Sequence, residues 1–178
     1  MPFPTLTTER LLLREIVQED IHNIFKGLSN PAVIKHFGIS YSTLEATQEQ
    51  IDWYANMIML DTGRCWAICS ADNNIFYGVC TLNFWKKDHR KAETGYWIFP
   101  EYWGRGIVPE ALSKIFDYGF TEMNLHRISA EVEDNNKRST AVLKRAGFEY
   151  EGTLRECEIK DGRFINLQIY ALLKKEGR

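Results

Sequence analysis

One segment constrains this 178-residue chain more than any other. Strand-like Tyr96-Trp97-Ile98-Phe99 runs through Pro100-Glu101-Tyr102-Trp103 into Gly104-Arg105-Gly106, and Ile107-Val108 begins a helical pattern at once. A strand that passes through a Gly-x-Gly turn into a helix gathers unpaired backbone N–H groups and the positive helix end at one point. That arrangement suits a pyrophosphate, and glycine lets the backbone approach phosphate oxygens with no Cβ in the way. A plain glycine turn between strand and helix is the competing reading of the same residues. A dinucleotide fold fits poorly. It would need a third glycine where Pro109 stands, within a βαβ unit near the start of a parallel sheet.

What surrounds the segment sets the fold class. Leu11-Leu12-Leu13-Arg14-Glu15-Ile16 reads as a short strand after a polar leader. Gln18-Glu19-Asp20 opens a helix with Ile21, Ile24, Phe25 and Leu28 at helical spacing, ending at Ser29-Asn30-Pro31. A second helix is expected from Leu44 to about Leu60, with Ser42 or Thr43 as cap. Then the period changes to two. Cys65–Cys69, Tyr77–Phe84 and Ala92–Phe99 read as three strands of an antiparallel meander, the first pair joined by Asp72-Asn73-Asn74.

A helix from about Gly106 to Thr121 follows, with Pro109 tolerated in its first turn. Arg127–Val132 alternates strictly. Asn136 to Arg145 reads as a short helix with Asn136 as N-cap, and Gly147 suits its exit. Two closing strands flank the hairpin signal Asp161-Gly162. The order β-α-α-β-β-β-α-β-α-β-β is a mixed α+β domain, and with no linker or repeat the reading is a single domain over residues 1–178.

Composition narrows the function classes. With 22 Lys+Arg against 24 Asp+Glu, the net charge of −2 argues against a protein that lives on nucleic-acid backbone charge. No run approaches the roughly 18 consecutive apolar residues of a membrane span, and the N-terminus has no secretory pattern. Cys65, Cys69, Cys80 and Cys157 show no CxxC spacing, and His22, His36, His89 and His126 are scattered. The expectation is therefore no metal, with small buried or half-buried thiols in a reducing cytoplasm.

The run Thr8-Glu9-Arg10-Leu11-Leu12-Leu13-Arg14, then Gly95-Tyr96-Trp97, Pro100–Gly106 and Glu110-Ala111-Leu112, closely resembles the GNAT acetyltransferases. Asn136-x-x-Ser139, Gly147-Phe148, Glu151–Arg155 and Asp161-Gly162-Arg163 are similar to the ribosomal-protein N-terminal acetyltransferase branch (RimJ/RimL type). The likeness is collinear from about Leu6 to Leu173.

The resemblance implies a mixed, mostly antiparallel sheet splayed between the fourth and fifth strands of that order, with acetyl-CoA bound in the gap. Backbone at Trp97, Ile98 and Phe99 would pair with the pantetheine arm, and Ile98 or Phe99 N–H would meet the carbonyl oxygen. The N–H groups of Gly104, Arg105, Gly106, Ile107 and Val108 would hold the pyrophosphate. The Arg105 side chain is read either as added charge there or as a solvated surface group. Asn136 would hydrogen-bond the pantetheine. Many members place a tyrosine late in the short helix, where this chain has Leu143; the branch offers Ser139 to donate a proton to the thiolate or to position it. Ser139 as a plain first-turn residue is the other reading.

For the base the branch points to Glu158, with Glu93 and Glu156 as weaker candidates, and Tyr96 is read as packing with a hydroxyl in reach of the cleft. The implied reaction is direct transfer in a ternary complex to a primary amine, taken as a protein N-terminal α-amine. Small amines or antibiotics are alternatives, as is a non-catalytic acyl-CoA-binding module. The partners expected are the amine acceptor and a homodimer partner, with no direct nucleic acid and no membrane.

Overall fold

The computed structural model describes residues 2–175. Leu11–Glu15 is a strand because its leucines alternate: Leu11 and Leu13 are buried on one face while Leu12 turns to the other. Leu6–Thr7 forms a shorter strand antiparallel to it, and a run that short carries no readable alternation. These are β2 and β1. The expected first helix begins as a 3-10 turn at Gln18–Asp20 and becomes α1 at Ile21–Leu28. Pro31–Ile34 forms a further short helix, α2, because Asn30 caps it by accepting from Ala32 N and Pro31 pre-sets its first turn. Thr43 likewise caps α3, Leu44–Met59.

The remaining elements are β3 Arg64–Ser70, β4 Phe76–Lys86, β5 Lys91–Ile98, α4 Ile107–Thr121, β6 Arg127–Glu133, α5 Lys137–Arg145, β7 Glu149–Lys160 and β8 Arg163–Leu173. Together the strands form one eight-stranded sheet in the order β1-β2-β3-β4-β5-β6-β8-β7. Every neighbouring pair is antiparallel except β5 and β6. The fold is a mixed, mostly antiparallel α+β arrangement of the kind the resemblance implies.

Two apolar layers sandwich this sheet. On one face Leu13, Trp66, Ile68, Leu82 and Ile98 pack under Leu112, Ile115, Phe116 and Phe120 of α4 and Leu143 of α5. Each of those large α4 side chains contributes about 1.5–3 kcal/mol by leaving water. On the other face Ala67, Val79, Trp97 and Phe99 meet Ile24 and Leu28 of α1 and Ile51, Tyr54 and Met57 of α3. Gly27 of α1 lets the Trp97 ring come this close: a Cβ there would stand 2.2 Å from Trp97 Cζ3. Cys65, Cys69 and Cys80 are buried free thiols, as expected, whereas Cys157 on the edge strand β7 is exposed. No helix is long and apolar enough to cross a membrane among the described residues.

The feature that makes a site is a broken ladder. β5 and β6 pair only at Lys91↔Arg127, Ala92↔Ile128 and Glu93↔Ser129. Beyond Glu93 the two strands part, and each keeps only its outer partner, β4 or β8.

Candidate functional site

The parted strands open a cleft of about 1000 Å³, lined along β5 from Thr94 to Ile98 and along β6 from Ala130 to Val132. Its near edge is unpaired backbone. The Phe99 N–H donates to Tyr77 O at 2.9 Å, toward β4, and Val79↔Trp97 is in register with that pair. Backbone groups alternate sides along a strand, so those of Trp97 also point to β4 while those of Tyr96 and Ile98 point into the cleft. This corrects the expectation for Phe99: its N–H is already bonded, its side chain packs in the α1–α3 core, and it does not line the cleft. Trp97 lines the cleft but keeps its ring in the same core. The Ile98 carbonyl accepts the Trp103 indole N–H at 3.1 Å, which leaves the Ile98 and Tyr96 N–H groups directed at the gap.

At the mouth, Gly104 and Gly106 both adopt left-handed backbone, φ 75° and 74°, a conformation that costs any residue with a Cβ. Gly106 is the N-cap of α4 and makes no side-chain cap bond. The N–H groups of Ile107 and Val108 therefore lack intrahelical partners, and Pro109 removes the donor that would follow. Gly104, Gly106, Ile107 and Val108 all line the cleft. Arg105 does not: its guanidinium lies over the Tyr102 ring, 5.5 Å from the centroid, beside a smaller pocket shared with Arg10 and Tyr77. Across the mouth, the Arg138 guanidinium sits 3.9 Å from the Trp103 ring centroid.

Deeper in, α5 faces β5. Asn136 Oδ1 caps α5 by accepting from Ser139 N at 3.1 Å, and Asn136 also lines the cleft, so the local and ligand-facing roles coexist. The Ser139 hydroxyl lies 2.7 Å from the Tyr96 hydroxyl. Burial pushes the Tyr96 phenol up to about 12, opposed by the bond to Ser139. The Tyr96 ring packs against the core while its hydroxyl reaches the cleft, both as read from the sequence, and Thr94 and Ile98 share its face of β5. Thr94, 8% exposed, presents a buried hydroxyl with no hydrogen-bond partner among the described residues.

The opposite wall carries Ala32, Val33, Lys35, His36 and Phe37 from α2 and the loop after it. Glu133, at the end of β6, accepts from Lys160 Nζ and pairs with His36 Nδ1 at 2.9 Å, and the same ammonium bonds Lys35 O. This ties the wall to the β7–β8 hairpin. Burial alone would raise the Glu133 carboxyl; the bonds from Lys160 and His36 hold it below the usual carboxylate range. Glu131 lines the cleft. Burial, then the charge of Glu131, raises the neighbouring Glu93 carboxyl. Glu158 is not brought to Ser139: it is an exposed residue of β7 opposite Ile165, outside the cleft lining, as is Glu156.

An extended, amide-bearing thioester with a pyrophosphate fits these residues. The free β5 edge matches its arm, and the uncapped glycine loop matches its anion. No group of three or more His, Cys, Asp or Glu suited to a metal occurs among the described residues. The family described as "Acetyltransferase (GNAT) domain" matches residues 10–149. The chain is 34% identical over 173 residues to "Uncharacterized N-acetyltransferase YoaA" of Bacillus subtilis (strain 168), covering 97% of this chain and 98% of that protein. It is 33% identical over 147 residues to "Putative ribosomal N-acetyltransferase YdaF" of the same organism, covering 79% and 76%. A crystal structure of spermidine N-acetyltransferase from Vibrio cholerae in complex with CoA and spermine superposes with a TM-score of 0.83 at 26% identity, covering 93% and 96%. The family match over residues 10–149, with relatives that align along nearly the whole chain, shows that the chain belongs to the GNAT family, as an N-acetyltransferase that takes acetyl-CoA as co-substrate.

Proposed function

We propose that this enzyme acetylates the α-amino group of a protein or peptide N-terminus, in the manner the branch resemblance suggests, as a single cytoplasmic domain. The observation that carries the choice of acceptor is the charge of the cleft. Glu131 is the one carboxylate among its described lining residues, against the cations Lys35, Lys137, Arg138 and Arg145. A single α-ammonium needs one carboxylate. A polyamine carries several cations and finds no second carboxylate among these lining residues. The printed name of the 33%-identical relative, a putative ribosomal N-acetyltransferase, points the same way. Free thiols at Cys65, Cys69 and Cys80 suit a reducing compartment.

Acetyl-CoA supplies the acetyl group as a thioester. Gly104, Gly106, Ile107 and Val108 hold its pyrophosphate, and the cleft-facing backbone of Tyr96 and Ile98 holds its arm and offers N–H donors to the carbonyl oxygen. Glu131 attracts the ammonium and takes its proton, so that the amine nitrogen can form the new N–C bond. As the C–S bond breaks, the Tyr96–Ser139 hydroxyl pair gives a proton to the departing sulfur and is restored by the second proton that the new amide nitrogen sheds. Glu158, exposed on β7 two residues before Lys160, would add negative charge to the hairpin surface that the acceptor approaches.

Thiol release from acetyl-CoA, measured with peptides bearing free or blocked N-termini and with spermidine, tests this reading. Turnover is expected only with free N-termini. Spermidine turned over with equal or greater kcat/KM would overturn the choice of acceptor.

A further inference from the structure

We infer that Arg10 is a positioning residue of the coenzyme site: it braces the glycine loop and cancels the charge of Glu110, a carboxylate in the first turn of the helix that receives the anion. The inference rests on the reading that Gly104–Val108 holds the pyrophosphate. Arg10 lies immediately before β2, yet its guanidinium reaches across to α4. Nε and Nη2 donate to Glu110 Oε2 at 2.8 and 2.5 Å, and Thr8 Oγ1 donates to Glu110 Oε1 at 2.5 Å. Nη1 donates to Arg105 O at 3.2 Å, and Nη2 stands 3.5 Å from where a Cβ on Gly106 would be. One side chain thus grips the loop's central residue and the first turn of the helix together.

The electrostatics explain why such a grip matters. A carboxylate at a helix N-terminus stabilises the helix but competes for the same positive end with any anion that docks there. Burial would raise the Glu110 carboxyl, whereas the bonds from Thr8 and Arg10 hold it below its ordinary value, so it is ionised at neutral pH. Left unpaired, that charge would oppose the pyrophosphate. Paired in a fork with Arg10, it becomes a neutral bracket for the loop. Arg10 is half-exposed, 53%, and an ion pair so exposed adds little to folding stability, so the effect belongs in coenzyme affinity.

The test is calorimetric titration of coenzyme A into wild type, Arg10→Ala, Arg10→Gln, Glu110→Gln, the Arg10→Ala/Glu110→Gln double variant and Gly104→Val. Gly104 faces open space, so its variant perturbs the phosphate approach without touching Arg10. The expected result is about tenfold weaker binding in both Arg10 single variants, with melting temperatures near wild type. Removing Glu110 as well should restore affinity to within about threefold of wild type, a rescue that a merely structural arginine would not show. A double variant no tighter than Arg10→Ala overturns the inference. So does wild-type affinity in Arg10→Ala while Gly104→Val is weakened, and that outcome leaves the loop reading standing. Wild-type affinity in both Arg10→Ala and Gly104→Val overturns the loop reading and the inference with it.

Discussion

The Tyr96 hydroxyl and the Ser139 Oγ lie 2.7 Å apart, joining the free edge of β5 to the first turn of α5 inside the cleft. The pair puts an exchangeable proton beside the strand edge that would hold the thioester.

If these hydroxyls act as one donor, Tyr96→Phe and Ser139→Ala should each lower kcat by about 100-fold, the usual scale of a positioned proton donor. The double variant should be no slower than the slower single variant. Because the phenol is pushed up to about 12, kcat should show no loss attributable to Tyr96 up to neutral and mildly alkaline pH. Single-turnover rates across pH check both statements.

Glu131 lines the cleft and Glu158 does not, so their amide variants should separate. Glu131→Gln is expected to lower kcat/KM for a free N-terminal peptide by about tenfold or more, and Glu158→Gln by less than about threefold. Steady-state kinetics at two salt concentrations measures this, since the exposed charge of Glu158 should fade at high salt. A larger loss in Glu158→Gln would return the base role to the hairpin.

Glu133 is buried, and its carboxyl is held down by Lys160 and His36. A depressed folded pKa contributes stability that is fully present above the ordinary value of 4.5 and lost as pH falls through the folded value. Glu133→Ala also strands Lys160 and His36, and should cost about 1–3 kcal/mol at neutral pH. Urea melts should show the gap between wild type and variant shrinking as pH falls below the ordinary carboxylate value.

Gly27→Ala tests how closely α1 is seated on β5. Its Cβ would stand 2.2 Å from the Trp97 ring, an overlap that only movement of helix or ring relieves. Overpacking of this kind costs about 1–3 kcal/mol. Because Trp97 stands in β5 between the cleft-facing residues Tyr96 and Ile98, the variant should also raise KM for acetyl-CoA. A melting curve together with coenzyme titration reads both effects.

Much of this fold was legible in the chain because its causes are local. The short apolar run Leu11-Leu12-Leu13 after a polar leader reads as a strand, and β2 forms there; which leucine meets which core layer came from the structure. Gly104 and Gly106 announce a turn from strand into helix, and Asn136 announces the cap of α5; both features appear in the structure. The first strand and α2 were not legible, since elements of two and four residues are too short to repeat the period that would reveal them.

Residue contacts distant in sequence were decided by the tertiary structure alone. Tyr96 meets Ser139 across 43 residues, and Arg10 meets Glu110 across 100. Whether a strand N–H is free depends on register with its neighbour, and the register that bonds Phe99 to Tyr77 leaves Ile98 to face the cleft. Periodicity and turn chemistry determined the elements of this protein because each is a property of neighbouring residues. The site came from how two layers of helices pack on a sheet whose middle ladder stops at Glu93, and that stop is a balance of packing among elements far apart in the chain.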